Sequence, residues 1–172
     1  ETAARRRPQR QRLTQPTRDD VAWSEKTDVC GTFVAAQVIT TAADIAGRVF
    51  SADLDGDGAL DLLSPSLHDR ELAWYENTDG FGSFGAQQVI TTAAIGASSV
   101  YAADLEGDGD LDVLSASAHD DEIAWYENTD GFGTFGAQQV ITTTAENTPM
   151  DHPAAPDRDR RPDALLASPL GR

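Results

Sequence analysis

The chain has one cysteine, no long apolar run and no initiator methionine. The single Cys30 excludes an internal disulfide framework and a zinc site of the CxxC type. No apolar run approaches the roughly 18 residues that a membrane-spanning helix needs. The first residue is Glu and no secretory leader follows it, so we expect the chain to be a fragment of a longer protein.

Positive charge is scarce in the middle of the chain. Residues 21–144 hold three Lys or Arg against 21 Asp or Glu, and the 172-residue chain has a formal net charge of −16. Such a charge repels phosphate, which excludes nucleic acid as a partner. All 12 aromatic residues lie in 21–144, whereas seven of the eight prolines lie outside it. We therefore expect a folded acidic centre between two disordered polar segments, 1–20 and 145–172.

A repeat of 51 residues organises this centre. Trp23, Trp74 and Trp125 are each 51 residues apart, and segments 73–92 and 124–143 differ at one position only. A first copy, at 22–41, is more diverged. In that copy Cys30 takes the place of a repeated Phe, which indicates a packing role for this cysteine.

Each repeat predicts β-structure. Residues 47–93 divide into four short segments rich in Val, Ile, Trp and Tyr, separated by turns of Gly, Asp and Asn. A four-stranded unit of this length is typical of a β-propeller blade. The predicted fold class is all-β, a partial β-propeller built from four-stranded blades of 51 residues. The repeat places blades at 22–72 and 73–123 and the start of a third at 124, which degenerates over 145–172.

The Arg-rich start allows a second interpretation of residues 1–20. Consecutive Arg codons of the form CGN, read one position on, give GNC triplets that can encode Gly or Asp. The shifted frame of residues 5–11 can spell Gly-Asp-Gly-Leu-Asn-Asp, in the register of Gly56 to Asp61. This segment is therefore either a basic tail or the mistranslated remnant of an earlier blade, and the transcript distinguishes the two.

Two acidic loops, 53–61 and 104–112, carry the candidate chemistry. Each has carboxylates at positions 1, 3, 5 and 9 and glycine at position 6, which suits a hard cation with oxygen ligands. Calcium fits better than magnesium because it accepts about six to eight oxygens in loose geometry. The predicted ligands of the first loop are Asp53, Asp55, Asp57, Ala59 through its carbonyl, and Asp61; those of the second are Asp104, Glu106, Asp108, Asp110 through its carbonyl, and Asp112.

Two other interpretations of these loops are weaker. An EF-hand needs an acid at position 12, where Ser64 and Ser115 stand, and it needs flanking helices. A plain solvated turn is the second alternative. Four carboxylates within nine residues repel one another strongly without a cation, which disfavours it.

The loops DLDGDGALD and DLEGDGDLD, with the Phe-Gly pairs of FGSFGA (81–86) and FGTFGA (132–137), resemble FG-GAP repeats of the VCBS type. The same repeat class builds the propeller of integrin alpha subunits. The resemblance covers about 21–144 and implies a multi-bladed propeller with structural calcium in its loops, in extracellular or cell-surface proteins. No Gly-Ala-Pro follows the Phe-Gly pairs, and fewer than three full blades are present. We therefore expect further blades from a missing part of the protein.

The sequence favours a noncatalytic calcium-binding propeller segment for extracellular adhesion or recognition of a protein or glycan partner. Two alternatives are an accessory propeller of a larger secreted hydrolase or lyase, and a lectin-like propeller that stacks sugars on Trp74 or Trp125. Catalysis finds little support, since His68 and His119 occupy the same turn in successive repeats. No nucleophile elbow, phosphate loop or zinc-spaced His/Cys set occurs.

Overall fold

The computed structural model describes residues 12–14, 19–25 and 32–145, and its regular elements are all β-strands. The all-β prediction is confirmed. Eleven strands in this part of the chain form three antiparallel sheets. Within the same residues no helix has the length and apolarity to cross a membrane.

In each sheet the strands follow one another in chain order, as in a propeller blade. The first sheet contains β1 (Arg12–Thr14), β2 (Val21–Ser24) and β3 (Gln37–Thr40). The second contains β4 (Phe50–Ala52), β5 (Asp61–Ser66), β6 (Glu71–Tyr75) and β7 (Gln88–Thr91). The third contains β8 (Ala97–Ala103), β9 (Asp112–Ser117), β10 (Glu122–Tyr126) and β11 (Gln139–Thr142).

The sheets are out of phase with the units marked on the sequence. The second sheet spans 50–91 and the third 97–142, so the units 22–72 and 73–123 cut across them. Those units begin beside the repeated tryptophan, which in the second and third sheets lies on the third strand, as Trp74 on β6 and Trp125 on β10. The four segments recognised within 47–93 do coincide with β4 to β7.

The two polar ends are described only in part. Residues 12–14 pair with β2 as strand β1, and the expected disorder of the segment 1–20 stays a prediction. Most of 1–20 and nearly all of the degenerate end, 145–172, lie outside the described residues.

The central strands are buried on both faces. All six residues of β5 and of β9 are buried. Adjacent side chains of β5 join different clusters: Leu62 belongs to the cluster that includes Val21 of the first sheet, and Leu63 to the one that includes Val100 of the third. This alternation explains why the sequence is apolar at consecutive positions instead of every second one.

The repeated tryptophan packs under a hairpin of the following sheet. Trp74 is 2% exposed, and its ring meets Phe135 edge-on at a centroid distance of 6.4 Å. Gly133 lies directly on the same indole, where a Cβ would come within 2.3 Å of Cζ2 of Trp74. Trp23 has the same arrangement with Phe84, at 6.3 Å. The prediction that this aromatic position packs blade against blade is confirmed.

Candidate metal centre

The first acidic loop, 53–61, joins β4 to β5 and is closed by its last aspartate. Asp61 is 1% exposed and is the first residue of β5. Its Oδ2 accepts a hydrogen bond from the Leu54 amide at 2.9 Å, and its Oδ1 accepts one from the Asn77 amide at 2.8 Å. One carboxylate thus ties the start of the loop and the end of the third strand to the same point.

Three carboxylates of this loop converge. Oxygens of Asp53, Asp55 and Asp61 lie within 4.8 Å of one another. Oδ2 of Asp53 accepts from the Gly58 amide at 3.0 Å, but its Oδ1 is buried and accepts no hydrogen bond from any described residue. A buried oxygen without a donor is costly, and a divalent cation would satisfy it. The residues of this loop therefore fit calcium.

The electrostatics of the loop favour a positive partner as well. The pKa of Asp61 is raised to about 6; burial is the main cause, the charges of Asp55 and Asp57 act in the same direction, and the amide hydrogen bonds from Asn77 and Leu54 oppose them. A carboxylate held in this way is destabilised as an anion. A cation between these groups would remove most of that destabilisation.

The Asp57 carboxylate, another predicted ligand of the first loop, does not belong to the cluster of three, and the carbonyl of Ala59 stays a predicted ligand. Asp57 is exposed, and its Oδ1 accepts from the Ala59 amide at 2.6 Å. Its own amide donates to Oδ1 of Asp55 at 3.2 Å. Gly58 has φ +89°, a left-handed conformation that permits the sharp turn at position 6. The loop is thus folded by its own aspartates as Asx turns.

The second loop, 104–112, repeats the closure but not the cluster. Asp112 is 1% exposed and accepts from the Leu105 amide at 3.0 Å and the Asn128 amide at 2.9 Å. Burial raises its pKa. Both oxygens of Asp104 accept backbone amides, from Gly107 at 2.6 Å and from Gly109 at 3.1 Å.

The remaining predicted ligands of this loop are not brought together. Oδ1 of Asp108 accepts from the Asp110 amide at 3.0 Å, and the Asp110 carboxylate packs against Gly131. Glu106 is exposed. Among the described residues the carboxylates of the second loop do not form a group of three like that of the first loop. A second calcium site at Asp104, Glu106, Asp108, Asp110 and Asp112 stays a prediction.

Two asparagines belong to these sites, and sequence reasoning missed them. Asn77 and Asn128 are each 1% exposed. The backbone N–H of each asparagine donates to the aspartate that closes its own loop. Oδ1 of each accepts a hydrogen bond from the backbone N–H of a hairpin glycine, which is Gly82 for Asn77 and Gly133 for Asn128. The available signal was their position in the repeated Trp-Tyr-Glu-Asn-Thr-Asp-Gly segment, where the diverged first copy has Lys26.

The other candidate residues take turn or packing positions. Nδ1 of His68 lies 3.3 Å from Oδ1 of Asp44, with both side chains about half exposed. The ring of His119 packs on Gly96. Trp74 is too buried to stack on a sugar, which corrects that part of the lectin-like interpretation. Cys30 lies outside the described residues.

Comparison with protein families identifies the repeat. The model of the FG-GAP-like repeat matches residues 66–115 and again 104–166, which together span more than half of the chain. The chain belongs to the FG-GAP-like repeat family. Comparison with curated proteins found no match. The second FG-GAP-like match includes the whole loop 104–112 and hairpin 128–135, and it continues beyond the described residues.

Proposed function

We propose that this FG-GAP-like segment is a noncatalytic, calcium-stabilised part of a β-propeller that serves extracellular adhesion or partner recognition. The observation that carries the proposal is the convergence of Asp53, Asp55 and Asp61 around a buried oxygen of Asp53 that accepts no hydrogen bond from the described residues. Three carboxylates with two positive charges leave a net negative site. Extracellular calcium modules of this kind bind at roughly 10⁻⁴–10⁻³ M.

Noncatalytic use is supported by the repetition of the polar groups. His68 and His119 recur with the blade and lie at turns, and the acidic groups recur as loops that close the strands. A catalytic group is normally required once. A rigid stack of sheets with exposed loops is instead a common scaffold for recognition.

Calcium titration by calorimetry, with melts in excess calcium and in chelator, tests the proposal. We expect binding in the range given above and a melting temperature that rises with calcium. The Asp53→Asn protein should lose the binding of the first loop, because the variant removes a converging carboxylate with almost no change in volume.

Asp79→Asn is the matched control. Asp79 is an exposed acid in the neighbouring hairpin, where it accepts from Phe81 and Ser83 amides. The variant makes the same change of charge outside the loops and should leave calcium affinity unchanged. Absence of calcium-dependent heat in the wild-type protein, or an equal loss of affinity in both variants, would reject a specific site.

Two alternative functions remain, and each has its own test. An accessory propeller of a secreted hydrolase or lyase requires a catalytic domain elsewhere in the transcript, which sequencing of that transcript would find. A lectin-like function would now depend on Trp125, which is partly exposed, and not on Trp74. Glycan binding that is lost in Trp125→Ala would favour it.

A further inference from the structure

The hairpin of the third sheet touches the acidic loop of the second. Nδ2 of Asn128 donates to the carbonyl of Leu54 at 2.9 Å, a buried hydrogen bond between residues 74 positions apart. It also approaches the carbonyl of Leu111, in its own loop, at 3.4 Å. The carbonyl oxygen of Gly131 lies 3.6 Å from the place of a Cβ on Gly56. The segment 128–131 thus lies against both acidic loops.

The carbonyl of Leu54 belongs to the peptide that joins Leu54 to Asp55. This peptide lies between two members of the converging cluster, Asp53 and Asp55. The orientation of this peptide determines the position of the Asp55 backbone, from which the Asp55 carboxylate extends. A hydrogen bond that fixes this peptide therefore restricts the geometry of the cluster, although the donor belongs to another sheet.

Asn77 has the same local contacts without this one. Its Nδ2 donates to the carbonyl of Leu60, in its own loop, at 3.2 Å, and its Oδ1 accepts from Gly82. Within the described part of the chain, the hydrogen bonds of Asn77 stay within its own sheet and loop. Asn77 and Asn128 are therefore, among the described residues, a pair that differs in one contact between sheets.

We propose that Asn128 is a positioning residue for calcium at the first loop, so that calcium bound at 53–61 also strengthens the junction between the second and third sheets. This inference rests on the proposed calcium function of the loop. Linkage requires reciprocity: if the Asn128 contact raises calcium affinity by some factor, calcium strengthens the contact by the same factor. The loss of one buried hydrogen bond corresponds to about a fivefold change in affinity.

Asn128→Leu and Asn77→Leu test this inference as a matched pair. Leucine has a similar size, adds no charge and removes every side-chain hydrogen bond at the position. A second substitution isolates calcium binding at each loop. The Asp104→Asn background leaves the first loop to bind calcium, and the Asp53→Asn background leaves the second loop. Calorimetry then gives the affinity of each loop with and without each asparagine.

The effects should be asymmetric. We expect Asn128→Leu to weaken calcium binding at the first loop by about fivefold, in the Asp104→Asn background. Asn77→Leu should leave binding at the second loop, in the Asp53→Asn background, unchanged within about twofold. A general loss of blade stability would weaken both, and this symmetric result would overturn the inference.

Hydrogen exchange tests the same contact in proteins that keep both asparagines. In the Asp104→Asn protein, calcium at the first loop should slow exchange at the Gly133 amide, which donates to Oδ1 of Asn128. In the Asp53→Asn protein, calcium at the second loop should leave the Gly82 amide unchanged. This measurement keeps the inference falsifiable if the leucine variants do not fold.

The failures of the two proposals are distinguishable. If the wild-type chain binds no calcium, the proposed function fails and the inference fails with it. If the first loop binds calcium but neither Asn128→Leu nor hydrogen exchange shows an effect between sheets, the inference alone is overturned. Binding confined to the second loop overturns the inference as well.

Discussion

Asp61 combines a structural role with its place in the carboxylate cluster. It is almost completely buried and accepts two backbone amides, whereas Asp55 is half-buried and accepts one amide at an exposed position. Removing Asp61 leaves two buried donors without acceptors. Removing Asp55 mainly removes a negative charge from a crowded loop.

We therefore expect Asp61→Ala and Asp55→Ala to differ in the absence of calcium. In chelator, Asp61→Ala should lower the free energy of unfolding by about 2–6 kcal/mol, since each of the two orphaned buried amides costs about 1–3 kcal/mol. Asp55→Ala should change it by less than about 0.5 kcal/mol. Both should lose the calcium-dependent gain. Urea denaturation with chelator and with calcium measures all four values, and equal losses in chelator would contradict the separation of roles.

Gly133 and Gly80 both have left-handed backbones, with φ of +82° and +67°, but different surroundings. A Cβ at Gly133 meets the Trp74 ring at 2.3 Å, whereas one at Gly80 has nothing nearer than 3.7 Å. Gly80→Ala should cost about 1–2 kcal/mol in backbone strain. Gly133→Ala should cost about 1–3 kcal/mol more, because the indole must also move. Thermal and urea unfolding of the two variants measure the difference, and similar losses would mean that the contact with Trp74 is unimportant.

At this scale the sequence predicted the loops and their acids but not the partners of those acids. Positions 1, 3 and 9 of the first loop do converge. The repetition of the asparagines was visible in the sequence, but their contacts could not be predicted, because these join residues 16 and 74 positions apart that only the paired strands and stacked sheets bring together. The difference between the two loops was also unpredictable, since both loops direct carboxylate oxygens to backbone amides, and only in the first do three carboxylates also converge around an Asp53 oxygen that accepts no hydrogen bond from the described residues.

At the scale of the elements, β6 and β10 have nearly the same sequence and different environments. Trp74 on β6 is covered by the hairpin of the third sheet, whereas Trp125 on β10 stays partly exposed in the described structure. The four strands within 47–93 followed from alternating composition and turn residues. The burial of each tryptophan depends on the sheet that packs over it, and it therefore cannot be predicted from the sequence of the strand alone.

Truncation of the two tryptophans should therefore have unequal effects. Trp74→Ala should lower the free energy of unfolding by about 3–5 kcal/mol, as expected for a fully packed aromatic. Trp125→Ala should lower it by less than half of that amount, because less apolar area is lost from the core. Denaturant titration gives both values. Equal losses would show that the two indoles are buried to the same extent in solution.

At the scale of the whole molecule, negative charge dominates. The folded centre has 21 acidic residues against three basic ones, and the acids concentrate in the loops between strands. Mutual repulsion of these groups destabilises the folded state, and it is screened by salt and neutralised by bound cations.

In chelator, an increase of sodium chloride from low to physiological concentration should therefore raise the melting temperature. The expected rise is roughly 3 °C, equivalent to about 1 kcal/mol for a chain of this size. In saturating calcium the rise should be smaller, since calcium has already neutralised the loops. Choline chloride should act like sodium chloride if screening is the cause. A melting temperature independent of salt in chelator would contradict this account of the charge.

The near-identity of the hairpins at 77–84 and 128–135 also affects how the chain folds. Each hairpin fits a tryptophan of the preceding sheet through the same glycine and phenylalanine contacts. The hairpin at 128–135 can therefore make the same local contacts with Trp23 as with Trp74, and only the connecting chain favours the native pairing with Trp74. Such a skipped-blade species buries native-like contacts and must come apart before folding can finish, which makes it a kinetic trap. The uniformity that allows sheets to stack interchangeably thus slows the search for the right order.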